Sequence, residues 1–186
     1  MSTEKIYYTT PGMSEDDART LVELLQGRLH AMNDLHLTLK HVHWNVVGPH
    51  FIAVHEMIDP HVEEVRGYAD DLAERIATLG GSPKGTPGSI VSERQWDEYS
   101  LRRDVTQAHL GALDVVYHGV LTSHRAAIEA AGDLDPVTED MLIGQVDKLE
   151  LFHWFVRAHL EGSSGQLSTA GETTERGAAD KASAAS

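Results

Sequence analysis

Residues 51–79, FIAVHEMIDPHVEEVRGYADDLAERIATL, read as one long helix that stops at Gly80-Gly81. At about 100° per residue, His55, Asp59, Asp70 and Glu74 fall within roughly 100° of arc and form a single stripe. With His43 upstream they make two imidazoles and three carboxylates, a mixed donor set that suits iron and similar divalent ions. Along the helix axis, however, His55 and Asp70 are separated by roughly 22 Å at about 1.5 Å per residue, whereas ligands lie only about 2 Å from a metal ion. One copy of the chain cannot close this site. A two-fold axis can, because an antiparallel copy of the helix sets its Asp70 and Glu74 opposite His55 and Asp59. The spacing therefore predicts a metal site shared across a dimer interface.

Working outward, Ser14 followed by Glu15, Asp16 and Asp17 is a helix start with acids in its first turn. Apolar residues then recur at helical spacing through Leu21, Leu25, Met32, Leu35, Leu39 and Val42 as far as Val46, and Gly48-Pro49 breaks the helix. Pro60 lies inside the second helix, where a kink or a lost hydrogen bond is expected. Residues 82–91 read as a loop, and 92–99 as a short helix with Ser92 as cap and Gln95 in the capping-box position. A third long helix is expected over 101–131 and a fourth over 137–161, separated by Gly132-Asp133-Leu134-Asp135-Pro136. No segment alternates like a strand. The fold class is all-α, a ferritin-like four-helix bundle with a short extra helix in the crossover between the second and third long helices. Residues 1–13 read as an N-terminal arm, 14–161 as the domain, and 162–186, rich in Gly, Ser, Thr and Ala, as a disordered tail.

Bulk properties narrow the function. The chain of 186 residues carries a net charge of −14, which repels nucleic acid and attracts cations. It has no cysteine, which removes disulfides, thiolate nucleophiles and cysteine-bound metals and fits a reducing cytoplasm. The N-terminus lacks an apolar signal region, and no run approaches the roughly 18 apolar residues of a membrane span. Seven of the twelve histidines fall between residues 30 and 61. A lone histidine on a helix is usually a core or surface residue, so the weight rests on the five together. His36 and His41 are read as structural, and Asp71, off the stripe, as a solvated acid. The one Glu-x-x-His pair, Glu150 with His153, falls short of the two that an intrachain di-iron bundle needs.

His43-Trp44-Asn45, Gly48, Phe51, Val54-His55-Glu56-Met57, Asp59, Asp70, Ala73-Glu74-Arg75 and Gly80 together resemble the Dps family, the mini-ferritins also called DNA-binding proteins from starved cells. The resemblance covers residues 14–161. It implies a homododecameric shell built from two-fold dimers, with a di-iron ferroxidase centre at each dimer interface. His43, His55 and Asp59 would come from one subunit and Asp70 and Glu74 from its neighbour. It implies that Fe(II) is oxidised preferentially by hydrogen peroxide and stored as ferric iron, protecting DNA. Trp44 would stand beside the site as an electron relay or shield, or else fill the bundle interior. Asp135, Glu139 and Asp140 match acidic positions that line the family's three-fold pores, although acids at a helix start also favour the helix dipole.

On DNA the chain departs from the family's basic-tail pattern. The arm sets Lys5 against Glu4, Glu15, Asp16 and Asp17, and the tail sets Arg176 and Lys181 against Glu172, Glu175 and Asp180. DNA binding is expected to be weak. The alternative reading is a cytoplasmic nucleoid-compacting protein whose ferroxidase activity is secondary.

Overall fold

A computed structural model describes residues 5–185. The long helices are α1 (Glu15–Asn45), α2 (Phe51–Thr78), α4 (Thr106–Gly132) and α5 (Pro136–Ala158). Between α2 and α4 lies the short α3 (Pro87–Glu93), and α6 (Glu175–Ala184) ends the described chain. Ser14 caps α1 by accepting from the Asp17 amide at 3.1 Å, which satisfies one of the helix's free first-turn donors. The stripe Leu21, Leu25, Met32, Leu35, Leu39 and Val42 is buried against the rest of the bundle. Pro60 sits on the exposed side of α2, next to exposed Glu56 one turn back. The carbonyl that Pro60 leaves without a donor thus belongs to the solvent side, and the helix continues through it.

The connection from α2 to α4 runs the length of α1 and is fastened to it at successive heights. Gln26 accepts from the Lys84 amide at 2.9 Å, Asp34 accepts from Trp96 Nε1 at 2.8 Å, and His41 Nε2 donates to the Leu101 carbonyl at 2.9 Å. At the far end β1 (Val46–Val47) pairs in parallel with β2 (Asp104–Val105). The long crossover makes α4 run antiparallel to α1, with Arg28 near its last third at Ser123. α5 then returns along α4, joined by His124 with Gln145 and by Asp114 with His153.

Three expectations differ from the structure. The short helix forms at Pro87–Glu93 rather than 92–99: Pro87 in the first turn has no amide to leave unpaired, while Arg94 and Trp96 both bind Asp34 and draw the next residues into an irregular strap. The third long helix begins at Thr106, because residues 104–105 pair with β1. The tail expected to be disordered is instead folded back. Thr169 Oγ1 donates to Asp114 at 2.7 Å. Helix α6 seats Ala178, Ala179 and Ala182 against α4. Contact is so close at Gly111 that a Cβ there would lie 2.5 Å from the Ala178 carbonyl oxygen. The N-terminal arm crosses the end of α2, where Gly80 holds φ +85° and a Cβ would strike the Tyr8 backbone.

Among the buried histidines, His61 and His124 carry the large pKa shifts. His61 and His124 are 1% and 0% exposed, and burial pushes each down to about 4, Arg28 adding to the effect at His124. Each imidazole is neutral in the fold and free to protonate, near its ordinary 6.5, once unfolded. The unfolded chain therefore binds more protons between pH 6.5 and 4, and stability falls as pH drops through that window. The loss is on the order of 3 kcal/mol per histidine at the acid end. Urea unfolding followed by circular dichroism should show a midpoint that is steady above pH 7 and drops steadily from pH 6.5 to 4. A flat midpoint over that range would show that these imidazoles do not titrate on unfolding.

Candidate metal centre

The last turn of α1 and the first two turns of α2 face each other across a short link, and this brings His43 and His55 together. Their rings stack, with centroids 3.6 Å apart and planes inclined by 22°. Each Nδ1 lies 2.9 Å from the other residue's backbone carbonyl oxygen. A carbonyl only accepts, so both Nδ1 atoms carry the proton and both Nε2 atoms keep a lone pair. This is the tautomer a metal-ligating histidine adopts when its second nitrogen is held by a carbonyl. His43 is 8% exposed and His55 half-buried, so the pair is rigid yet opens to the surface.

Asp59 lies one turn beyond His55 on the exposed side of α2. Its Oδ1 is 2.8 Å from Lys40 Nζ and 3.3 Å from His43 Nδ1. The Lys40 hydrogen bond, assisted by the two histidines, holds the carboxyl below the usual carboxylate range, so Asp59 is an anion at neutral pH. Lys40 was not singled out in the sequence. Its place one helical turn before His43 was the available signal, but a lysine on a helix surface is too common to stand out.

Asp70 and Glu74 are exposed on α2, far along the axis from this cluster. Among the described residues, no three His, Asp or Glu of one chain come close enough to hold a metal ion. His43, His55 and Asp59 lie near one another without forming such a group, and Asp70 and Glu74 lie apart from them on α2. Trp44 is 69% exposed, which removes the reading that it fills the bundle interior. Exposed Phe51 and Ile52 share this end of the molecule.

The acids at the start of α5 divide. Asp135 is buried and caps the helix by accepting from the Thr138 amide at 2.9 Å. It also pairs with Arg75 of α2. Burial alone would raise its pKa, but Thr138 and Arg75 outweigh burial and hold it below the ordinary range. Its charge is spent inside the subunit, so it is not the free pore carboxylate expected from its position. Glu139 is half-buried and Asp140 exposed. The Glu-x-x-His pair is also engaged elsewhere: Glu150 binds Arg125, and His153 Nε2 lies 2.7 Å from Asp114. His41 anchors the crossover.

The ferritin-like domain family matches residues 22–164. A DNA protection during starvation protein of Mycolicibacterium smegmatis is 63% identical over 175 residues, spanning 94% of this chain and 96% of that protein. Among solved structures, Mycobacterium smegmatis Dps superimposes with a TM-score of 0.89 at 62% identity, covering 92% of this chain and 98% of the other. DpsA14 from Streptomyces coelicolor gives 0.88 at 63% identity, covering 89% and 99%. Among the described residues no helix is long and apolar enough to cross a membrane. With the bundle, the long crossover and these similarities in hand, the chain belongs to the Dps family of ferritin-like proteins.

Proposed function

We propose that this protein is a ferroxidase that oxidises Fe(II) and stores the ferric product in a dodecameric shell in the cytoplasm, protecting DNA from oxidative damage. The observation that carries the reading is the reciprocal lock of His43 and His55. It leaves both Nε2 lone pairs unused beside exposed Asp59, on a helix that presents two more carboxylates several turns further along. Imidazole and carboxylate donors of this kind take ferrous ion and leave positions open for an oxidant. An antiparallel partner would supply Asp70 and Glu74 to the site.

Iron is the substrate. Two Fe(II) held about 3.5 to 4 Å apart lose one electron each, and one hydrogen peroxide takes both with two protons, leaving two Fe(III) and two waters. A lone iron would deliver one electron and release hydroxyl radical. The residues' part is positional: His43 and His55 bind through Nε2, and Asp59, already ionised, binds once Lys40 releases it. Glu139 and Asp140 would draw cations toward the cavity, while Asp135 serves as cap and as partner to Arg75. DNA contact, if it occurs, would be weak, since Arg176 and Lys181 are turned to Ser100 and to Ala170 and Glu172 of the same chain.

Peroxide added anaerobically to Fe(II)-loaded protein should oxidise about two irons per molecule with little spin-trapped hydroxyl radical. H43A/H55A should lose the fast phase while keeping its helical circular dichroism. Abundant radical from the wild type, or an undiminished rate in the variant, would refute the assignment.

The sharing of the site has its own test. H43A/H55A and D70N/E74Q chains should each be inactive. Co-refolded in equal amounts, they should recover about one quarter of wild-type activity, because in a mixed two-fold dimer one site receives both intact halves and the other neither. Mixtures with no activity, from chains shown by mass spectrometry to be mixed, would place the site within one chain.

A further inference from the structure

Away from the metal centre, α1 and α4 leave between them a cavity of about 690 Å³. The crossover strap at Trp96 and Tyr99 covers one end, and Thr174 and Arg176, where α6 begins, close over it. The volume is that of a small-molecule site. Leu35, Val116 and Val120 contribute to its walls.

Arg28 lies at the α1–α4 wall of the cavity. Its guanidinium is half-buried, and burial pushes its pKa down. Nη1 donates to Ser123 Oγ, a neutral hydroxyl. Among the described residues Arg28 pairs with no carboxylate, although the chain carries twenty-nine acids. Of the five acids that line the cavity, three are engaged elsewhere, Asp34 with Arg94 and Trp96, Glu93 with Lys84, and Glu175 with the Ser100 amide, while Asp97 and Glu98 are exposed on the strap and form no ion pair with Arg28. Arg28 lines the cavity with four N–H donors that form no hydrogen bond within the described chain, and its planar fork matches a carboxylate in particular. The acids at the rim oppose a dianion.

We propose that this cavity binds a small amphipathic carboxylate, its head on Arg28 and Ser123 and its apolar body along Leu35, Val116 and Val120 beneath Trp96. The site is independent of the metal centre, and its occupancy would brace the strap and the start of α6 against the bundle.

Equilibrium dialysis of the assembled full chain against radiolabelled decanoate tests this. The wild type should take up one decanoate per chain saturably. R28M should weaken uptake about tenfold or more, as expected for losing a charged hydrogen bond. V116W, which fills the cavity without touching the charge, should weaken it comparably. Both variants should retain the ferroxidase rate and the size of the wild-type assembly. No saturable uptake by the wild type would overturn the proposal, as it would if a neighbouring subunit's carboxylate already occupied Arg28. Uptake unchanged in V116W would overturn it even if R28M failed to assemble.

Discussion

The stacked pair of His43 and His55 ties the fold to the site. Each ring gives its Nδ1 proton to the other residue's backbone, so the two helix ends are joined by the same side chains we propose as metal donors. This contact does two things at once. It ties the start of α2 to the end of α1, and it selects the tautomer of both rings. A histidine pair held only by packing would be free to rotate and would offer whichever nitrogen chance favoured. The geometry also explains why one chain stops at three donors. The next carboxylates on the same helix face lie several turns away, and a straight helix cannot fold back on itself.

The crossover solves a second constraint. For α4 to start where α1 ends, the chain must travel the whole length of the bundle with only the short α3 of its own. An irregular strap of that length would be loose unless fastened. Here it is held at Gln26, Asp34 and His41 in turn, and the β1–β2 pairing closes the last step. One side chain, Asp34, takes both Arg94 and Trp96. The strap and the tail converge at Ser100, whose amide binds Glu175 and whose carbonyl binds Arg176.

What could be read from the sequence follows from the range of the interactions involved. The helical stripes, the cap at Ser14 and the split of the five proposed ligands into two groups rest on local periodicity, which the helix imposes directly. The short helix was displaced because Ser92 and Gln95 satisfy a local capping pattern, whereas Asp34, some sixty positions earlier, decides where Arg94 and Trp96 go. The tail misleads for a different reason. Small residues mark a flexible linker and a closely packed helix equally well, and only the presence of Gly111 opposite Ala178 tells which applies. Asp135 repeats the lesson at the level of charge, for its partner Arg75 lies on a helix distant in sequence.

The histidines show how position rather than residue type sets the chemistry. His61 and His124 are enclosed by Tyr117, Phe152 and Gln145 and are kept neutral by the absence of water. His153 differs again, bound to Asp114 within a cluster that also takes Arg157 and Thr169 and so fastens the tail. His43 and His55 stand at the edge of the bundle, where a backbone carbonyl holds one nitrogen and the other is left for a ligand. Acidification therefore opposes folding through the enclosed rings, because His61 and His124 must take up protons that only the unfolded chain accepts readily.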